Sequence, residues 1–169
     1  MMMLFLFNNQ HMSNKRITNE FNEMVELINK QSIDDHRFIE INKISEDMSN
    51  ITICFLGPKE TPYEELVNVI TIQIPKEYPH QAPKMHFINK IFHPNIAEDD
   101  GEICLDILKD NWSPVHSLRT VMMSIISLLS DPNPDSPLNG IAANMYQESL
   151  KSTENRRKYI KKIQSYDKF

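Results

Sequence analysis

The chain has 169 residues, enough for one domain with its own core and too few for two comfortable ones. With 40% hydrophobic and 24% charged residues its composition is that of a globular protein, and a net charge of -5 argues against a general nucleic-acid binder. Two cysteines without a CxxC pair or clustered histidines argue against a zinc site and allow at most one disulfide, so a reducing compartment, cytosol or nucleus, is expected.

The first seven residues are apolar but too short to span a membrane, and no Lys or Arg precedes them as a secretory leader requires. Residues 1–12 read as a flexible extension or an upstream alternative start before Met12. The sharper reading is a docking peptide in which Leu4, Phe5 and Phe7 fill a partner's groove. A single core domain is expected over 13–166, with a tail at 167–169.

From about Asn14 to Lys30, Ile17, Phe21, Met24, Val25 and Ile28 trace one helical face. Lys15 and Arg16 open this helix, where cations oppose its dipole. Strands are expected at about His36–Asn42, Met48–Leu56, Val67–Ile74 and Lys84–Ile88. In the third, Val67, Val69, Thr71 and Gln73 alternate with Asn68, Ile70, Ile72 and Ile74. Short connections predict an antiparallel sheet, and Gly57-Pro58 and the segment Tyr78 to Pro83 read as turns. Leu118, Val121, Met122, Ile125, Ile126 and Leu129 predict a strongly buried helix that stops before Asp131-Pro132. Another is expected from Ser136-Pro137 to about Tyr146, with Pro in its first turn. A last one, from about Thr153 to Ser165, carries Arg156, Arg157, Lys158, Lys161 and Lys162 on a solvated face. One helix, then strands, then helices make an α+β domain: N-terminal helix, four-stranded antiparallel meander, active-site loop, a buried helix and two C-terminal helices.

The three glycines do not cluster, so no phosphate-cradling loop is supported. Of the cysteines, Cys54 lies in the β-branched run Ile51 to Leu56 and reads as a small core hydrophobe. Cys104 follows a polar loop containing Gly101 and is the candidate nucleophile. Glu98, Asp99, Asp100, Glu102 and Asp106 surround it, and no Lys or Arg lies between His93 and Leu108. Negative charge disfavours a thiolate, which argues against a protease-like Cys-His dyad. A weakly activated thiol suits an acyl carrier that keeps its thioester until an amine arrives. Asn95 either donates its amide N–H to the developing oxyanion or braces the loop by Asx-type bonds. His93 reads as a side chain bonded to its own loop.

His93-Pro94-Asn95, the run Gly101 to Leu108, Trp112-Ser113-Pro114 and the run Asp131 to Asn139 resemble the ubiquitin-conjugating enzymes. Lys15-Arg16-Ile17 with Glu20, Gly57-Pro58, Thr61-Pro62-Tyr63-Glu64, and Tyr78-Pro79 with Pro83 agree, so the likeness covers about Ser13 to Tyr166 in order. The resemblance implies a transferase in which Cys104 takes ubiquitin as a thioester from an activating enzyme and passes it to a substrate lysine, with a RING-type or other ligase. It implies that Asn95 serves aminolysis and loop integrity, and that Asp106 and Ser136 flank the entering lysine. Lys15 and Arg16 match the residues that meet the activating enzyme; His80, Ser113, Pro114 and Val115 lie in the two loops that ligases grip. No cofactor is expected on the chain itself, ATP being used by the activating enzyme, and neither nucleic acid nor membrane is an expected partner. Relatives place two glycines after Thr-Pro-Tyr-Glu where Glu65 and Leu66 stand here, so the hairpin must form without them or be rebuilt. His80 also replaces a phenylalanine that some ligases require. The alternative modifier is the cullin modifier, suggested by the Phe-containing extension. A non-catalytic ubiquitin-binding variant is the other alternative, against which the retained Cys104 and Asn95 count.

Overall fold

A computed structural model describes residues 15–30, 38–45 and 48–166. The expected N-terminal extension at 1–12 and the tail at 167–169 lie outside the described residues. The elements run α1 (Lys15–Lys30), β1 (Phe38–Ile44), β2 (Asn50–Leu56), β3 (Val67–Gln73), β4 (Lys84–Phe87), a 3-10 turn (Asp106–Leu108), α2 (Leu118–Ser130), α3 (Gly140–Ser149) and α4 (Thr153–Gln164). The strands form one antiparallel meander in the order β1-β2-β3-β4, as expected for an α+β domain.

Periodicity explains which face each element buries. Along β3, Asn68, Ile70 and Ile72 point inward, and in β2 Ile51, Ile53 and Phe55 are fully buried. The stripe on α1 puts Phe21 and Met24 into the same cluster, with Ile17 and Val25 packed at its margin. Helix α2 contributes Leu118, Val121, Met122, Ile125, Ile126 and Leu129, the residues its spacing singles out. Ser117 closes a capping box with Thr120 at its start. Tyr159 and Ile163 join the cluster from α4.

Strand β2 starts two residues later than expected, at Asn50, β3 and α4 each end one residue early, and three other boundaries differ from the sequence expectation. Strand β1 begins two residues later, at Phe38, and runs on to Ile44; residues 36 and 37 lie outside the described ones. Strand β4 stops at Phe87: the Ile88 N–H still donates in register to the Val69 carbonyl, but the Val69 N–H donates to the Asn89 side-chain Oδ1 instead of to a backbone carbonyl. Helix α3 starts at Gly140 rather than Ser136, and extends to Ser149. The Asn139 side chain caps it by accepting from the Ala142 N–H. Leu138 and Asn139 N–H groups both donate to the Pro94 carbonyl, so residues 136–139 are held as a loop and Pro137 is not the first helical residue.

The β2–β3 connection is rebuilt without the paired glycines. Glu60 takes the left-handed conformation (φ 61), and its N–H donates to the Glu64 carboxylate. The Thr61 hydroxyl donates to the Pro58 carbonyl, and Gly57 N–H donates to Leu66 C=O to close the loop. Gly57 is obligatory for space: a Cβ there would lie 1.9 Å from the Tyr63 carbonyl oxygen.

Candidate active site

Cys104 is placed by a short hairpin docked on the edge of the sheet. Ile96 pairs with Ile103, Ala97 N–H donates to Glu102 C=O, and Cys104 N–H donates to Asn95 C=O at 2.8 Å. His86 on β4 bridges Glu102, and Phe87 N–H donates to Gly101 C=O. Gly101 turns this hairpin at φ 71, and a Cβ on it would sit 2.0 Å from the Phe87 carbonyl oxygen. Only glycine fits that conformation and that approach.

The thiol of Cys104 is partly exposed, whereas Cys54 is buried in β2. Its nearest recorded side-chain partner is Ser136, with Sγ and Oγ 3.8 Å apart across 32 residues of sequence. Asn95 brings the two segments together. Buried to 1% exposure, its Nδ2 donates to the carbonyls of Asn133 (2.7 Å) and Ser136 (3.1 Å), and its Oδ1 accepts from Asn133 N–H (2.8 Å). Both amide hydrogens are thereby committed to the loop after α2. Of the two roles open in the sequence, the bracing one is built into this arrangement.

His93 supports Asn95 from behind. Its Nδ1 accepts from Asn95 N–H and its Nε2 lies 3.0 Å from the Leu128 carbonyl, which requires the neutral Nε2–H tautomer. Complete burial lowers its pKa to about 3, against a partly opposing bond to Leu128. It therefore carries no charge to share with the thiol.

The acidic residues around Cys104 are tied locally. Tyr166 donates to Glu98 at 2.6 Å, which holds the Tyr166 hydroxyl up at about 12. Asp100 accepts from Glu102 N–H. Asp106, the first residue of the 3-10 turn, is exposed; one carboxylate oxygen accepts from Ile107 N–H and the other from Asn111 Nδ2. Glu102 pairs with Lys109 at 2.8 Å, and that bond raises the lysine's pKa, with Cys104 a smaller electrostatic contributor. Lys109 stands one residue past the cation-free stretch, which is why the sequence reading passed over it.

The partner-facing residues divide. Lys15, His80, Pro114 and Val115 are exposed, Val115 to 80%, and Ser113 is half-buried. Arg16 is turned inward: its Nε donates to Glu20 (2.6 Å) and its Nη2 to the His116 carbonyl (2.7 Å). Glu20 had no assigned role, yet an acid between Ile17, Phe21 and Met24 on an apolar helical stripe was the available signal. Among the described residues no group of three His, Cys, Asp or Glu side chains is placed to hold a metal ion.

A family model described as "Ubiquitin-conjugating enzyme" matches residues 16–166. Ubiquitin-conjugating enzyme E2 1 of Caenorhabditis elegans is 46% identical over 108 residues, covering 64% of this chain and 53% of the relative. Ubiquitin-conjugating enzyme E2 K of Bos taurus is 38% identical over 135 residues, covering 80% and 66%. The chain thus spans between about half and two thirds of the length of these relatives. Among solved structures, the H. polymorpha ubiquitin conjugating enzyme Pex4p, crystallised with the soluble domain of Pex22p, superposes with a TM-score of 0.81 at 25% identity, covering 93% of this chain and 97% of that one. A ubiquitin conjugating enzyme domain of Toxoplasma gondii gives 0.73 at 32% identity, covering 90% and 94%.

Proposed function

The chain belongs to the ubiquitin-conjugating enzyme family, and from that premise we propose that it carries ubiquitin as a thioester on Cys104 and transfers it to substrate lysines. The observation that carries the reading is the partly exposed Cys104 thiol, set beside the Ser136 loop by the buried Asn95. In the loading step the Cys104 thiolate attacks the thioester carbonyl of ubiquitin on its activating enzyme. A new C–S bond forms and the activating enzyme's thiolate leaves. In transfer, the lysine amine attacks the carbonyl, the C–N bond forms, Cys104 leaves as thiolate, and the ammonium proton passes to solvent or a nearby acceptor.

Asn95 acts in this scheme chiefly by holding the two walls together. Service to the oxyanion would require one of its two carbonyl bonds to be exchanged for the new oxygen. Ser136 lines the lysine's approach as a hydrogen-bonding hydroxyl, and Asp106 flanks it from the 3-10 turn. His93 is buried, neutral and hydrogen-bonded to Asn95 and Leu128, so it is not placed as the base of a Cys-His hydrolase, which supports a carrier. Lys15 with the loops bearing His80 and Ser113 to Val115 is the face offered to activating enzyme and ligase, in the cytosol or nucleus. ATP is consumed by the activating enzyme.

A charging assay tests this directly. The protein is incubated with activating enzyme, ATP and either ubiquitin or the cullin modifier, beside Cys104→Ala and Cys54→Ala, on reducing and non-reducing gels. A reducible ubiquitin adduct lost only in Cys104→Ala is expected. An adduct with the cullin modifier alone would replace the modifier, and no adduct with either would leave a binding variant.

A further inference from the structure

One carboxylate gathers the whole partner face. Glu20 lies on α1, 6% exposed, and accepts three hydrogen bonds: from Arg16 Nε (2.6 Å), the Tyr78 hydroxyl (2.6 Å) and the Leu118 N–H at the start of α2 (2.8 Å). Arg16 extends the reach with a bond to the His116 carbonyl, and its guanidinium lies over the Tyr78 ring at 5.6 Å. The two outer loops are also tied to each other. Trp112 Nε1 donates to the Pro79 carbonyl at 2.8 Å, and the Trp112 ring packs on both Tyr78 and His116. The loop carrying His80 and the loop carrying Ser113, Pro114 and Val115 therefore meet α1 at a single buried anion.

Burying a carboxylate is unfavourable unless its lone pairs are filled, and short charge-assisted bonds fill them here. A neutral amide in its place keeps the shape but weakens all three bonds, and also offers a donor where only acceptors are wanted. A plain apolar contact would hold the loops without fixing their direction, whereas three bonds to two oxygens fix both. We infer that Glu20, clamped by Arg16, is a positioning residue for partner docking, setting the two exposed loops and the start of α1 in one geometry that the activating enzyme recognises. Arg16 serves that face from inside, and Lys15 serves it from outside. This inference rests on the carrier reading for its partner, though the brace itself does not.

The test compares wild type with Glu20→Gln and Arg16→Gln. Initial rates of charging with ubiquitin, activating enzyme and ATP are measured against the concentration of the protein, and the purified thioester is discharged onto free lysine. Amide exchange is followed by mass spectrometry on the same proteins without partners. For both variants the half-saturating concentration rises by about tenfold, the maximal charging rate stays within about twofold, and discharge to free lysine stays within about twofold. Exchange over residues 76–83 and 112–118 quickens by about tenfold while β2 and β3 are unchanged. A half-saturating concentration within about twofold of wild type, or a fall in discharge matching the fall in charging, overturns the inference. Should wild type itself fail to charge, the carrier reading falls; unchanged exchange in the two loops then overturns the brace independently.

Discussion

At the scale of single residues, buried polar groups around Cys104 carry the greatest consequences. Asn95→Ala removes three hydrogen bonds and detaches the Asn133 N–H and the Asn133 and Ser136 carbonyls from the buried Asn95 side chain. A loss of about 2–4 kcal/mol in urea denaturation is expected, together with loss of transfer from an intact Cys104 thioester. Gly101→Ala meets both a left-handed φ and a 2.0 Å approach to backbone; it should destabilise by about 3 kcal/mol or more. His93 gives a pH signature. Its folded pKa, about 3, lies below the unfolded value, so the unfolded chain binds the extra proton between those limits. The stability it contributes is complete above about pH 6.5 and is lost as pH falls toward 3. Denaturation of wild type against His93→Asn, which keeps an acceptor for Asn95 N–H, should show wild type losing about 1 kcal/mol more per pH unit between pH 6 and 4. Parallel pH profiles would remove His93 from the account.

Among elements, α2 and the end of α4 do different work. Helix α2 gives one whole face to the core, and Ile125→Ala should cost about 3 kcal/mol by cavity formation, read by chemical denaturation with unchanged exposure of Cys104 to a thiol reagent. The end of α4 and the turn after it instead support the hairpin that carries Cys104. Tyr166 donates to Glu98 while Lys162 lies over the rings of Tyr166 and Phe92. Tyr166→Phe removes a bond from a part-exposed site, so a loss below about 1 kcal/mol is expected, with faster amide exchange confined to residues 97–101. Equal exchange in both proteins would show the hairpin to be held by β4 alone. The α3 boundary shows how a local rule yields to tertiary context. Proline is suited to a helix's first turn, but two N–H bonds to the Pro94 carbonyl hold residues 136–139 as a loop beside Cys104, and Asn139 becomes the cap.

For the whole molecule, the sheet, α1 and α2 share one apolar cluster, while the Cys104 hairpin and the loop after α2 meet at its rim. The loops carrying His80 and Ser113 to Val115, the face proposed for partners, are braced by the same α1 that enters the core. Deleting residues 1–11 should leave the initial rate of ubiquitin charging within about twofold of the full chain, because Cys104 is set by Asn95, Ile96, Ile103 and Ser136 within the domain. A large loss restricted to the cullin modifier would instead assign that segment to modifier-specific docking.

Periodicity and residue chemistry made most of the elements legible, since amphipathic spacing is a property of neighbouring residues. The stripe of α1, the inward residues of β3 and the buried face of α2 follow from it, and so does the choice of Cys104 over Cys54. Even Glu20 left a trace, as an acid on an apolar stripe. What the sequence by itself determined is therefore the set of elements, their buried faces and the candidate nucleophile. What only the tertiary structure decided is which distant groups meet: Asn95 with Ser136 across 41 residues, and Glu20 with Leu118 across 98. Those meetings depend on how closed elements stack, and a hydrogen bond between segments far apart in the chain leaves no spacing in the sequence to announce it.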